Sequence, residues 1–110
     1  MKQAEIWMAD LNPVQGSEQS GIRPVLIISG NSMNNNLGIS IICPISSKLK
    51  RYAGCLILEK NKLNGLDMDS EVITFQVRTI AHARLTRKVG SITFDQLEKI
   101  KKGLSEILTY

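Results

Sequence analysis

Residues 16–29 read GSEQSGIRPVLIIS, and they decide the fold: a polar stretch bounded by Gly16 and Gly21 gives way after Pro24 to the apolar, β-branched run Val25-Leu26-Ile27-Ile28. A run this short, closed by Ser29 and Gly30, has the length of a strand and not of a helix. Proline disfavours the helical region for the residue before it, so Arg23 is pushed toward an extended conformation at the strand's start. Gly16 and Gly21 supply mobility or unusual backbone angles. A polar loop therefore delivers a fixed positive charge to the mouth of a core strand.

Working outward, Ile39-Ser40-Ile41-Ile42-Cys43, Cys55-Leu56-Ile57-Leu58 and Val72-Ile73-Thr74-Phe75 are similar runs, and residues 5–9 and 85–89 bring the count to about six. No long helix separates them, which points to a mainly β (β-rich α+β) fold, a small antiparallel barrel and not a parallel α/β sheet. Residues 31–36 read as a very polar loop. At the carboxyl end the period changes: Phe94, Leu97, Ile100, Leu104, Ile107 and Leu108 recur opposite Glu98, Lys99, Lys101, Lys102 and Glu106. Thr93 with Gln96 makes a capping-box start, so a helix is predicted over about 93–109, covering the barrel or one end of it. Gly103 should weaken that helix by about 1 kcal/mol relative to Ala.

At 110 residues the chain is long enough to bury one core, and residues 1–110 are read as a single domain. No apolar segment approaches the ~18 residues of a membrane span, and Met1-Lys2 leads into Gln3, Ala4 and Glu5, so a cytoplasmic protein without membrane contact is expected. Cys43 and Cys55 lie in apolar runs and read as reduced core thiols, and a single His cannot complete a zinc set; neither metal nor cofactor is expected. The net charge of +4 is compatible with a polyanionic partner.

If residues 71–78 form one strand, Val72, Thr74, Gln76 and Arg78 share a face and Ile73, Phe75 and Val77 share the other. The polar end would then gather Arg23, Arg78 and the hydroxyls of Ser46 and Ser47, a plausible phosphate clamp, because guanidinium forks match phosphate oxygens. Each Arg taken singly also fits a surface salt bridge. Lys48, Lys50 and Arg51 with Tyr52 form a loop that could track a nucleic-acid backbone and stack a base, or could equally be a solvated basic turn. His82 reads as structural or solvent-facing, in a turn. So few catalytic groups suit a substrate that brings its own nucleophile. RNA does, since its 2′-hydroxyl can attack the adjacent phosphate while the protein orients the backbone and stabilises charge.

Taken together, Glu5-Ile6-Trp7-Met8-Ala9-Asp10-Leu11-Asn12-Pro13, then GSEQSGIRPVLIIS, then Ile42-Cys43-Pro44-Ile45-Ser46 and finally Gln76-Val77-Arg78-Thr79-Ile80 resemble the MazF/PemK family of toxin endoribonucleases along nearly the whole chain. The GSEQxGxRP block is the most specific part. The resemblance implies an SH3-like barrel with a terminal helix, a homodimer, and metal-independent cleavage of single-stranded RNA, mainly mRNA, at short sequences, giving 2′,3′-cyclic phosphate and 5′-hydroxyl ends. It makes Arg23 the general acid and transition-state stabiliser, Ser46 the holder of the scissile phosphate, with Ser47 the alternative owner of that role, and Glu18 a general base. Gln19, Ser47, Lys48, Lys50, Arg51, Gln76 and Arg78 fall in the segments that would contact RNA. A cognate acidic antitoxin is implied as partner. Two departures stand out: Ala4 occupies a position where the family often has Gly, and Ser46 replaces a commoner Thr. A gyrase-poisoning toxin of the same barrel type and a plain SH3-like interaction module are the competing readings.

Overall fold

The computed structural model describes residues 1–13, 15–18 and 21–110. β1 (Glu5–Asp10), β2 (Ile22–Ile27), β3 (Ile39–Ser46), β4 (Leu56–Leu58), β5 (Ser70–Val72), β6 (Arg78–Ala81) and β7 (Leu85–Ser91) form one antiparallel sheet in the order β4-β5-β3-β2-β1-β7, with β6 beside β3. The mainly β fold expected from the sequence is the one that forms. β3 organises it. One edge of β3 pairs with β2, Val25 opposite Pro44 and Ile27 opposite Ile42. The other edge is shared: β6 runs against residues 39–42, and β5 against Ile45 and Ser46.

The handover on that edge falls at Pro44. Its carbonyl accepts from Ile73 N at 2.9 Å, but its ring nitrogen offers no N–H, and the facing chain breaks into a 3₁₀ turn, Thr74–Gln76. This corrects the single strand expected over 72–75 and its alternation to Arg78. β5 ends at Val72, and Arg78 opens a strand of its own.

Alternation along the strands builds a core on each face. Leu26, Cys43 and Ile45 pack with Ile6, Leu58 and Val72 on one face, closed by Leu97 and Ile100 of α2 (Phe94–Thr109). Val25, Ile27 and Ile42 pack with Ala9, Leu11, Ile80 and Leu85 on the other. Cys43 and Cys55 are free thiols; burial, with a smaller contribution from Cys55, pushes the Cys43 thiol up to about 12. No helix among the described residues is long and apolar enough to cross a membrane.

The capping box of α2 is present: Gln96 N donates to Thr93 Oγ1 at 3.1 Å and Thr93 N to Gln96 Oε1 at 2.9 Å. The expected apolar stripe is shorter than read. Phe94 and Leu108 are 72% and 83% exposed, because they lie in the first and last turns, beyond the reach of the sheet. Gly103 is buried where α2 crosses the loop before β4, and a Cβ there would stand 2.1 Å from the Gly54 carbonyl oxygen. The glycine that costs helix propensity is thus what lets the two backbones touch.

Residues 31–36, expected as a loop, form the short helix α1 (Asn31–Asn36). Asparagine is a poor helix former, and tertiary bonds override it here. Asn34 is buried, donates from Nδ2 to Ser29 O at 2.9 Å, and accepts at Oδ1 from the hydroxyls of Ser29 and Ser40. Since the Ser40 proton goes to Asn34, the His82 Nε2 that lies 2.7 Å from Ser40 Oγ is the donor of that bond.

Ala4 has φ 73°, in the left-handed region where an L-residue costs about 1 kcal/mol. The departure from glycine noted in the sequence is therefore a backbone strain. Next to it Glu5 is nearly buried. That burial alone would raise its pKa, but hydrogen bonds from Lys88, from the Lys2 N–H and from the Trp7 indole, with the Lys88 charge, bring it down to about 2.

Candidate functional site

The β2–β3 register, carried two positions beyond its last pair, sets Arg23 opposite Ser46. Strand alternation turns both toward the face of Val25, Ile27 and Ile42. Arg23 is half-buried and Ser46 is 5% exposed. Ser46 Oγ accepts from Lys48 N at 3.1 Å, which leaves its proton available to a ligand.

Two adjoining clefts open on this face. One, of about 180 Å³, is lined by Glu18, Pro44, Val77 and Arg78; the other, of about 190 Å³, by Ser17, Ser46, Lys48, Lys50, Tyr52 and Ile73; Phe75 and Gln76 line both. Gln76 Nε2 donates to Ser17 O at 3.2 Å and so ties the 3₁₀ turn to the loop between β1 and β2. Arg78 Nη1 reaches Leu11 O at 3.4 Å. Glu18 is exposed, and its Oε1 accepts the Gln15 N–H at 2.6 Å, closing a local turn. Gly16 and Gly21 take the positive φ values of 60° and 79° that the sequence suggested as one of their uses.

A roomier cleft of about 410 Å³ is lined by Met8, Leu66, Met68 and Val89 together with Arg23, Ser47, Asp67, Ser70 and Arg87. This cleft is larger and carries polar groups of both signs, Arg23 and Arg87 beside Asp67, with Ser47 and Ser70. A phosphate needs convergent donors: Arg78, Gln76, Lys48 and Lys50 line the paired clefts beside Ser46, which form the candidate site, while Arg23 and Arg87 line the roomier one. The two serines left open by the sequence are separated here: Ser46 lines the candidate site and Ser47 the roomier cleft.

The basic loop has a template that the sequence did not reveal. Glu71, 0% exposed, sits opposite Ser46 in the β3–β5 ladder. Its Oε1 accepts the N–H groups of Lys50 and Arg51 at 2.8 and 2.9 Å, and its Oε2 accepts that of Tyr52 at 2.8 Å. A carboxylate directly ahead of Val72 and Ile73, in a run otherwise bound for the core, was the available signal. Strand alternation would put Phe75 on one face with Ile73; the 3₁₀ turn instead leaves it 45% exposed, meeting Tyr52 edge-to-face with ring centroids 5.0 Å apart. Lys48, Lys50 and Arg51 are exposed on the same loop. Gln19, also read as an RNA contact, lies outside the described residues.

Residues 2–108 match the family described as PemK-like, MazF-like toxin of type II toxin-antitoxin system. The chain is 32% identical over 105 residues to Endoribonuclease EndoA of Bacillus subtilis (strain 168), covering 94% of this chain and 90% of that protein. Its fold is similar to the crystal structure of MazF (Form-I) from Deinococcus radiodurans, with a TM-score of 0.86 at 22% identity over 100% of this chain and 97% of that one. It is also similar to an endoribonuclease from Mycobacterial species in complex with its cognate antitoxin, with a TM-score of 0.81 at 18% identity over 98% and 94% of the two chains.

Proposed function

The chain belongs to the PemK-like, MazF-like toxin family of type II toxin-antitoxin systems and is an endoribonuclease; we propose that it cuts single-stranded RNA in the cytoplasm by attack of the 2′-hydroxyl on the adjacent phosphate. The 2′-oxygen–phosphorus bond forms as the bond from phosphorus to the 5′-oxygen breaks, leaving a 2′,3′-cyclic phosphate and a 5′-hydroxyl. Glu18 takes the 2′-proton. Arg23 stabilises the charge that grows on the phosphate oxygens and donates toward the leaving 5′-oxygen, while the Ser46 hydroxyl holds the phosphate. Gln76, Arg78, Lys48, Lys50 and Arg51 bind the flanking strand.

The observation that supports this reading is the place of Ser46 beside clefts lined by Glu18, Gln76 and Arg78, with Arg23 falling opposite Ser46 when the β2–β3 register is extended past its last pair, Val25 with Pro44. The partners follow from the same reading: a homodimer that an acidic antitoxin covers, in keeping with a net charge of +4 and with the complexes formed by its structural relatives. Arg23→Ala is expected to lower cleavage by at least ~10³-fold, the scale of losing a transition-state charge partner, with melting temperature and oligomeric state unchanged. Full cleavage by that variant, measured by mapping 5′-hydroxyl ends in the presence of a chelator, would sink the assignment.

A further inference from the structure

We propose that Tyr52, Phe75 and Gln76 form a nucleobase subsite beside Ser46, with Glu71 as its positioning residue; this rests on the RNA-cleaving reading above and says what part of the RNA is held there. Tyr52 and Phe75 are 46% and 45% exposed, an unusual placement for two rings in mutual contact. Their edge-to-face arrangement, 86° between planes, leaves a ring face presented to an incoming planar group. The cleft they share with Ser46 also holds Lys48 and Lys50, so cations for the backbone flank a stacking surface for a base. Gln76, whose Nε2 donates to the Ser17 carbonyl, walls the same cleft and fixes its side against the loop between β1 and β2.

A merely solvated basic turn would need no internal support, and this loop has a strong one. A fully buried carboxylate is costly unless saturated with hydrogen bonds, and Glu71 accepts three, all from backbone N–H groups of residues 50–52. Arg51 is held at φ 58°, a conformation that non-glycine residues seldom adopt and that clusters at ligand clamps. Glu71 thereby fixes where the Tyr52 ring starts before any ligand arrives, which reduces the ordering that binding requires. Glu71 touches no substrate itself.

The test uses the full-length wild-type chain and an oligoribonucleotide carrying the cleavage site mapped with it, in a series with one nucleotide at a time around the scissile phosphate replaced by an abasic ribose. For wild type, one abasic position should raise KM by about 5- to 150-fold, the value of one stacked base. Tyr52→Ala and Phe75→Ala should raise KM on the intact oligonucleotide by a similar factor, leave kcat nearly unchanged, and erase the penalty at that one position. Glu71→Gln keeps an acceptor for Lys50 and Arg51 but opposes an NH₂ to the Tyr52 N–H; its KM should rise and its abasic penalty shrink, a split that loss of stability alone would not produce. Should that variant fail to fold, Phe75→Ala, altering a half-exposed ring, carries the test. If wild type cuts and the abasic penalty persists in both ring variants, the subsite is overturned while the RNA-cleaving reading stands. Unchanged KM in both would give the rings to a protein partner and likewise overturn it. If wild type cuts no RNA at all, the underlying reading fails and the subsite with it.

Discussion

β3 carries a buried serine near each end, and the two hydroxyls are used in opposite ways. At Ser40 both functions are spent: it donates to Asn34 Oδ1 at 2.7 Å and meets His82 Nε2 at 2.7 Å. At Ser46 the oxygen accepts from Lys48 N, and the proton faces a cleft with Gln76 and two lysines. The first pair has the outline of a nucleophile beside its base, yet the proton lies on the wrong partner, because His82 donates and so cannot accept. Proximity of reactive residue types therefore says little. An uncommitted donor at the edge of a cationic cleft says more.

The difference can be broken from the open end first. Ser46→Ala should lower kcat by about 10²-fold, roughly 2.7 kcal/mol of transition-state stabilisation, with the melting temperature unmoved, whereas Ser47→Ala should cost less than about tenfold. Cleavage lost in the second and kept in the first would reassign the phosphate to the roomier cleft. At the closed end the readouts exchange places. Ser40→Ala leaves Asn34 and His82 each short of a partner and should cost about 2 kcal/mol in chemical denaturation, with cleavage per folded molecule preserved. A stable but inactive Ser40→Ala would refute the contrast.

Acid supplies a smaller and complementary probe. Glu5 contributes to the loss of stability in acid. Its folded pKa, about 2, lies below its unfolded value near 4.5, so its stabilisation is complete above the higher value and fades as pH falls through the lower. Because Lys88 is half exposed, the contribution is put at about 1–2 kcal/mol after screening. In denaturant titrations from pH 5 down to pH 2, Glu5→Gln should flatten the loss of stability. An unchanged slope would remove Glu5 from the account.

Much of this was legible in the chain. Short β-branched runs announced β2, β3 and β4, residues 5–9 and 85–89 were added as β1 and β7, and Thr93 with Gln96 announced α2 together with its cap. The GSEQSGIRP block pointed to Arg23, and Ile42-Cys43-Pro44-Ile45-Ser46 to the serine that lines the candidate site. What could not be read depended on distant partners. Pro44 carried a warning that the neighbouring ladder would break, but where the chain opposite would turn is set by tertiary contacts, so the strand expected through Phe75 to Arg78 stops at Val72. α1 exists because Asn34 finds Ser29 and Ser40, a bond set that local propensity does not contain. Glu71 gave only the oddity of a charge entering a core.

The loop that carries Lys48, Lys50 and Tyr52 is held almost wholly by its main chain. Glu71 grips three of its N–H groups, Ser46 accepts a fourth from Lys48, and Thr74 Oγ1 donates to the Gly54 carbonyl at 2.8 Å just where Gly103 lets α2 press against it. None of these bonds uses a side chain of residues 48–52. The loop is thus a socket whose contents can be exchanged: on the proposed reading, new side chains at 48, 50 and 52 should alter what RNA sequence is favoured while the backbone stays where it is. If the proposed subsite holds, recognition can be engineered there independently of folding.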